Sequence, residues 1–246
     1  MPEAPAPGEA SIDPRADGPS LSRRERERRR RRQAMLRAAQ QVFAAKGYAQ
    51  ATLDEIAERA EFGKGTLYNY FEGGKEDILF AVFDTIYGDL RALVRDTFSA
   101  EQVRRQPPRE AFRALVRSAF DFLLEREELF LILMKEECQF MFGDDPEKVA
   151  YFREQGHRLV EAMTPALEAA MEDGAMRPLP PQAVAHMLEG NINGILMHLT
   201  MARHDENCPD SPIDAPDKAV DFLTTMLFDG LAAGGSTEAD EAEGVS

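Results

Sequence analysis

The 246-residue sequence has no tryptophan and only two cysteines, Cys138 and Cys208, which lie far apart in the chain. Two isolated cysteines exclude a disulfide-rich scaffold, so we expect a reduced, cytoplasmic protein. No apolar run approaches the ~18 residues that a membrane-spanning helix needs. The first residues do not resemble a signal peptide either. These absences predict a soluble protein with no membrane partner.

The sequence also lacks the polar–apolar alternation that is typical of β-strands. Apolar residues instead recur at intervals of three and four almost throughout, which predicts helices. With 43% hydrophobic residues the chain can bury a substantial core. The predicted fold class is therefore all-α.

Signatures of catalysis are missing as well. We find no glycine-rich phosphate loop, no nucleophile elbow and no distinct pair of carboxylates. The four histidines are not spaced as metal ligands. We therefore expect neither an enzyme, nor a metal site, nor a cofactor.

Charge is distributed unevenly along the chain, whose net charge is −15. Residues 21–75 hold thirteen basic and seven acidic residues, whereas the remainder is strongly acidic. Within this segment, residues 23–32 contain eight arginines and two glutamates. The confinement of positive charge to one segment indicates a polyanion partner there, because the acidic remainder repels polyanions.

Residues 52–75 predict two short helices joined by a tight turn. Thr52 and Glu55 form a capping-box pattern at the start of the first helix. In the second helix Leu67 and Phe71 share the inward face, at positions i and i+4. The outward or sideways residues are Lys64, Gly65, Thr66, Tyr68, Asn69 and Tyr70. Such a face suits phosphates and base edges, although an ordinary helical hairpin with packed tyrosines is the alternative.

The segment GKGTLYNYF, followed by GGKEDIL, resembles the DNA-binding head of the TetR/AcrR family of bacterial transcription regulators. Residues 33–48 are similar to the first helix of that family. The resemblance implies a three-helix helix-turn-helix head followed by a larger helical body for ligand binding and dimerisation. The sequence departs from the family at Glu61, where glycine is usual, and at Gly63, where serine is usual. A non-glycine residue at this turn implies a strained left-handed backbone.

The resemblance implies a role for each residue of the outward face. Lys64, Gly65, Thr66 and Asn69 would approach base edges. Tyr68 and Tyr70 would contact phosphate, and Tyr68 would also meet a thymine methyl group. Thr52 and Lys75 would add phosphate contacts at the starts of their helices. The partner would be double-stranded DNA with a palindromic operator, bound by a homodimer.

Four domains follow from these patterns. We expect a disordered leader over 1–22, a basic arm with the helix-turn-helix domain over 23–75 (motif about 52–71), a helical body over 76–231 and a disordered acidic tail over 232–246. The arginines of the arm either form a solvated helix extension, or contact phosphates or a minor groove. A nuclear-localisation or RNA-binding tract is a further alternative, which the adjoining helix-turn-helix makes less favoured.

The body is predicted to contain helices at about 75–94, 109–124, 127–142, 146–172, 181–204 and 217–231. In the last two, apolar stripes either pack inside the chain or pair with a second subunit. A small hydrophobic ligand would be bound among methionine, aromatic and isolated polar residues, which are otherwise simply core. The candidates are Phe120, Met134, Phe152, His157, Met187 and Asn191.

The most favoured function is therefore a homodimeric repressor that a ligand releases from DNA. An activator on the same scaffold is a further possibility. The alternative from another class is a helical ligand-binding or adaptor protein that has lost operator recognition.

Overall fold

The computed structural model describes residues 22–141, 143–204 and 213–230, which form ten helices and no strand. The helices are α1 (Arg23–Gln50), α2 (Leu53–Arg59), α3 (Lys64–Tyr68), α4 (Lys75–Thr97), α5 (Ala100–Arg105), α6 (Pro108–Leu124), α7 (Glu127–Met141), α8 (Pro146–Glu172), α9 (Pro181–His204) and α10 (Pro216–Phe228). The predicted all-α class is confirmed. Nearly all of the predicted leader, and the predicted acidic tail, lie outside the described residues.

The first helix begins at Arg23, well before the residues 33–48 that resemble the first helix of the family. Ser22 caps α1, accepting a hydrogen bond from the Glu25 amide, while the Glu25 carboxylate accepts one from the Ser22 amide. Arginine is a good helix former, so the basic run continues the helix without apolar contacts. Near its other end α1 is kinked at Gly47, where φ is 74°. The arginine-rich segment is thus part of α1.

The sequence pattern missed helix α5. Ser99 caps this helix through its hydroxyl, which accepts a hydrogen bond from the Gln102 amide. Only Val103 is buried among its six residues. A helix of under two turns with one buried side chain shows no periodicity to detect.

The body is built around α4, which packs against α6 and α8. Helix α9 packs on α8, and α10 on α6. The head contacts the body where α1 packs against α4 and α7. An aromatic cluster fills part of the core, with ring centroids 4.8 to 6.2 Å apart. Its members are Phe80, Phe83, Phe140, Tyr151 and Phe152.

A polar network ties α4 to α8 inside the body. Arg91 Nη1 donates to Gln155 Oε1 at 2.8 Å, and Gln155 Nε2 donates to Asp84 Oδ1 at 3.1 Å. The Tyr151 hydroxyl donates to the same Asp84 oxygen at 3.0 Å. The buried amide of Gln155 therefore has its partners within the chain.

The stripes considered for subunit pairing are largely internal. Val184, Leu188 and Leu199 of α9 are buried within the chain, as are Val220 and Leu223 of α10. Other apolar residues of these two helices are exposed instead: Met187 by 51%, Met201 by 60% and Phe222 by 45%.

Candidate nucleic-acid interface

Helix α3 presents the predicted face to solvent. Leu67 is fully buried and Phe71 is 3% exposed, which anchors the helix on the head core. Four of the candidate residues are exposed (Lys64, Gly65, Tyr68 and Asn69) and two are half-buried (Thr66 and Tyr70). All six thus remain at least partly accessible to a partner.

The two helices of the motif are joined by an ion pair. Lys64 Nζ lies 2.8 Å from Asp54 Oδ2, and this hydrogen bond raises the pKa of Lys64. Both side chains are exposed, so the pair contributes little stability. The Lys64 ammonium can therefore exchange Asp54 for a phosphate or a base edge at small cost.

The turn before α3 contains the left-handed residue that the sequence predicts. Glu61 has a φ of 59° and is the one non-glycine residue with positive φ among the residues that the structure describes. A Cβ in this region costs roughly 1–2 kcal/mol. The turn therefore holds the two helices at a cost in backbone strain.

Replacing Glu61 with glycine should stabilise the protein by about 0.5–1 kcal/mol, because the strain relieved exceeds the extra flexibility of the unfolded chain. Urea denaturation followed by circular dichroism would measure this change. The matched control is Glu58→Gly within α2, which should instead destabilise by about 1 kcal/mol. If both variants were destabilised equally, the backbone at Glu61 would not be strained.

Thr52 and Lys75 already have partners within the head. The Thr52 hydroxyl accepts from the Glu55 amide at 3.3 Å, and the Glu55 carboxylate accepts from the Thr52 amide at 3.1 Å, which completes the predicted capping box. The Thr52 hydroxyl also donates to the Glu55 carboxylate at 3.0 Å. Lys75 Nζ donates to the carbonyls of Tyr48, Ala49 and Ala51 at 2.9, 3.2 and 3.0 Å. All three ammonium protons are then used. The structure therefore assigns Lys75 to joining α4 with the end of α1, and its phosphate contact stays a prediction.

The glycine pair before α4 has a defined conformation. Gly74 has a φ of 70°, and the Gly73 amide donates to the Asp77 carboxylate at 2.6 Å. A Cβ on Gly73 would meet that carboxylate, which is the end of a flexible side chain and can turn away. The positive φ of Gly74 is therefore the feature of this pair that favours glycine.

The body contains a small, largely apolar cavity of about 40 Å³. Helices α4, α6, α8 and α9 each contribute to its wall. Its apolar lining consists of Leu90, Leu93, Val94, Leu115, Ala119, Leu123, Leu159, Met163 and Ile192, and its polar lining of Glu189 and Asn193.

The predicted ligand residues do not line this cavity. Phe120 and Phe152 belong to the packed core, and Met134 is half-buried. The remaining three, His157, Met187 and Asn191, are exposed. Helical spacing identifies apolar positions, but it does not tell which of them face an empty space.

The polar end of the cavity is acidic. Burial, and then the nearby carboxylate of Glu137, raise the pKa of Glu189 to about 7. Burial also raises the pKa of Glu137, which is hydrogen-bonded to the buried Tyr87. His186 Nδ1 lies 3.9 Å from the Glu189 carboxylate at the exposed edge. A single glutamate within an apolar helix gave no signal in the sequence that it would line a cavity.

Other kinds of site are not visible in the described part of the chain. No three histidine, cysteine or acidic side chains there are grouped so that they could hold a metal ion. Among residues 22–141, 143–204 and 213–230, no helix has the length and apolar character needed to cross a membrane.

Comparison with known proteins places this geometry in a family. Residues 35–82 match the family model of bacterial regulatory proteins of the tetR family. The chain is also 32% identical over 199 residues to the HTH-type transcriptional activator FasR of Mycolicibacterium smegmatis, covering 80% of this chain and 81% of FasR. The chain belongs to the TetR family. It is therefore a transcriptional regulator that binds DNA through a helix-turn-helix head.

Two further proteins that resemble this chain differ from FasR in what their names say they do. The chain is 26% identical to the HTH-type transcriptional repressor NicS of Pseudomonas putida, over 58% of this chain and 64% of NicS. The crystal structure of FadR from Bacillus subtilis in complex with stearoyl-CoA shares the fold, with a TM-score of 0.62 and 19% identity over 81% of this chain and 99% of FadR. The relatives thus include both an activator and a repressor, and no catalytic family is indicated.

Proposed function

We propose that this TetR-family protein is a homodimeric repressor that reads a palindromic operator with α3 and leaves it when a ligand fills the body cavity. The observation that supports the proposal most directly is the outward face of α3. Its amide, hydroxyl and ammonium groups are accessible, whereas Leu67 and Phe71 hold the helix from behind. Such groups suit base edges and phosphates in a major groove.

Within this proposal the contacts divide by side-chain chemistry. Lys64, Thr66 and Asn69 read base edges, and the missing side chain of Gly65 lets the backbone approach them. The aromatic hydroxyls of Tyr68 and Tyr70 contact phosphates, and Thr52 and Lys75 add phosphate contacts when each exchanges one of its internal hydrogen bonds for a phosphate oxygen.

Dimerisation is supported by the exposed apolar residues of α9 and α10. Met187 and Met201 are fourteen residues apart on one face of α9, and Phe222 is exposed on α10. Pairing of these two helices with their copies in a second subunit would remove this apolar surface from water. Two-fold symmetry then matches two half-sites and doubles the DNA contacts.

The cavity favours a ligand with an apolar chain, since nine of its eleven lining residues are apolar. FadR, which shares the fold, binds stearoyl-CoA, so we propose a long acyl chain as the ligand class. The cavity of about 40 Å³ must widen to admit such a chain, which requires the helices around it to move. Helix α4 runs from the cavity at Leu90 to Lys75, whose ammonium touches the end of α1. A ligand that shifts α4 therefore changes the population of head positions that fit two half-sites.

Selection from random double-stranded DNA with the full-length protein tests this function. We expect enrichment of a palindrome that binds two chains. Asn69→Ala should weaken operator binding by about tenfold or more, since a bidentate base contact is worth ~1–3 kcal/mol. Tyr70→Phe should weaken binding to all sequences alike. The control Gln139→Ala changes an exposed side chain of the body and should bind as the wild type does.

Failure of the selection to enrich any sequence would contradict operator recognition and favour the adaptor function. Release of a selected operator by long-chain acyl-CoA, but not by free coenzyme A, would support the ligand class. A reporter gene behind the operator would show repression or, because FasR is an activator, activation.

A further inference from the structure

The first ten residues of α1 form an exposed helix of unusual charge. Residues 23–32 carry eight arginines and two glutamates, and every residue from 22 to 33 is exposed. One of the glutamates is paired, with Arg31 Nε 2.8 Å from Glu27 Oε1. At 1.5 Å per residue the segment is about 15 Å long. We call residues 23–32 the arginine helix.

The arginine helix supplies the entire net positive charge of the head. Residues 33–75 hold five basic and five acidic residues, so they have no net charge. The whole chain has a net charge of −15. The arginine helix therefore dominates the attraction of DNA to this acidic protein, and it adds to the counterions that other basic residues of the head release on binding.

Contacts with the end of the motif determine where the arginine helix lies. The Arg28 guanidinium carbon is 5.8 Å from the centroid of the Tyr70 ring, and that of Arg32 is 5.2 Å from the Phe71 ring. These two arginines are one helical turn apart, and they stack on consecutive residues just beyond α3. The arginine helix is thus positioned beside the surface that reads DNA.

Its helical form determines which part of DNA it can contact. An α-helix with side chains is about 10–12 Å wide, whereas the minor groove is about 6 Å wide. The arginine helix therefore does not fit the minor groove. The major groove of the half-site is the place proposed for α3. The part of DNA left for the arginine helix to contact is the sugar–phosphate backbone. A stretch of about 15 Å carries roughly four phosphates per strand.

We propose that the arginine helix is a second DNA-binding surface, which contacts the phosphates flanking each half-site regardless of sequence. The inference rests on the proposed operator binding by α3. Guanidinium groups suit this role because they bind phosphate through two parallel N–H bonds. Arg28 and Arg32 hold the helix against Tyr70 and Phe71, while the neighbouring arginines face the flanking backbone.

The test replaces arginines that do not serve as anchors. In the full-length protein Arg23, Arg24, Arg29 and Arg30 are changed together to glutamine, which preserves helix propensity. The matched control changes four exposed arginines of the body, Arg95, Arg104, Arg153 and Arg177, to glutamine. Circular dichroism verifies that both variants fold. Affinity for the selected operator is measured against salt concentration, with long flanks and with DNA trimmed to the two half-sites.

We expect the arginine-helix variant to bind the long operator at least tenfold more weakly than the control at low salt. If two arginines per subunit contact phosphate, the slope of log K against log salt falls by about 3.6 for a dimer. On trimmed DNA the difference between variant and control should largely disappear.

Equal salt slopes for variant and control would overturn the proposal, as would an equal loss on trimmed and long DNA. Preferential binding of single-stranded RNA by the wild type would also overturn it. None of these outcomes affects operator recognition, which fails only if the wild type shows no sequence preference on trimmed DNA. The two proposals are therefore distinguishable.

Discussion

Replacing Lys75 with methionine should lower the free energy of unfolding by about 3 kcal/mol. Each hydrogen bond to a charged donor is worth ~1.5–3 kcal/mol, but the three carbonyls left behind are partly accessible, so water offsets a large part of the summed loss. The ammonium satisfies the carbonyls of Tyr48, Ala49 and Ala51 at the end of α1. It also lies 4.6 Å from the centroid of the Tyr48 ring. Methionine preserves most of the apolar stem and removes the charge. The decrease in the free energy of unfolding therefore measures the contacts of the ammonium group.

Chemical denaturation at neutral pH measures this loss, and Lys135→Met is the control, since Lys135 is exposed on α7. A change of under 0.5 kcal/mol at Lys75 would contradict the structural role, because exposed substitutions usually stay within about that range. The predicted phosphate contact has a separate readout. Under conditions where the variant is folded, losing that contact would reduce the salt slope of DNA binding by ~0.9 per subunit.

Replacing Glu189 with glutamine should stabilise the protein above pH 7 by about 3 kcal/mol, the free energy that corresponds to a rise in pKa from 4.5 to about 7. The unfolded chain releases the Glu189 proton near the ordinary pKa, while the folded chain retains it until about pH 7. Wild-type stability therefore falls as the pH rises through this window. Because glutamine cannot ionise, the variant does not lose this part of its stability as the pH rises.

Thermal or urea denaturation from pH 4 to 8 tests the effect. The two proteins should be equally stable near pH 4 and diverge steadily up to about pH 7. Glu168→Gln on the exposed side of α8 is the control and should follow the wild type at every pH. If the stabilities of Glu189→Gln and the wild type differed by the same amount at every pH, the cause would be altered packing rather than the cost of a buried charge.

The DNA-reading motif was largely predictable from sequence because its determinants are local. The capping box of Thr52 and Glu55 depends on residues three apart, and the left-handed turn is centred on Glu61 alone. Leu67 and Phe71 share the buried face through i, i+4 spacing. Contacts within one or two helical turns leave a direct pattern in the sequence.

The lining of the body cavity was not predictable in the same way. Phe120 and Phe152 have the composition expected of a pocket lining, but they are in the packed core. The cavity is lined instead by residues such as Leu90 and Glu189, from helices that are distant in sequence. An empty volume arises where several helices fail to fill the space between them, and no single helix encodes that failure.

The sequence by itself determined the helical class, the helix-turn-helix head and the outward face of α3, because helix periodicity and caps are set by neighbouring residues. The tertiary structure alone decided the partners of Lys75, the position of the arginine helix beside Tyr70 and the lining of the cavity. Each of these depends on how helices far apart in the chain pack together. That packing reflects the sum of many weak contacts across the fold, which a local pattern does not record.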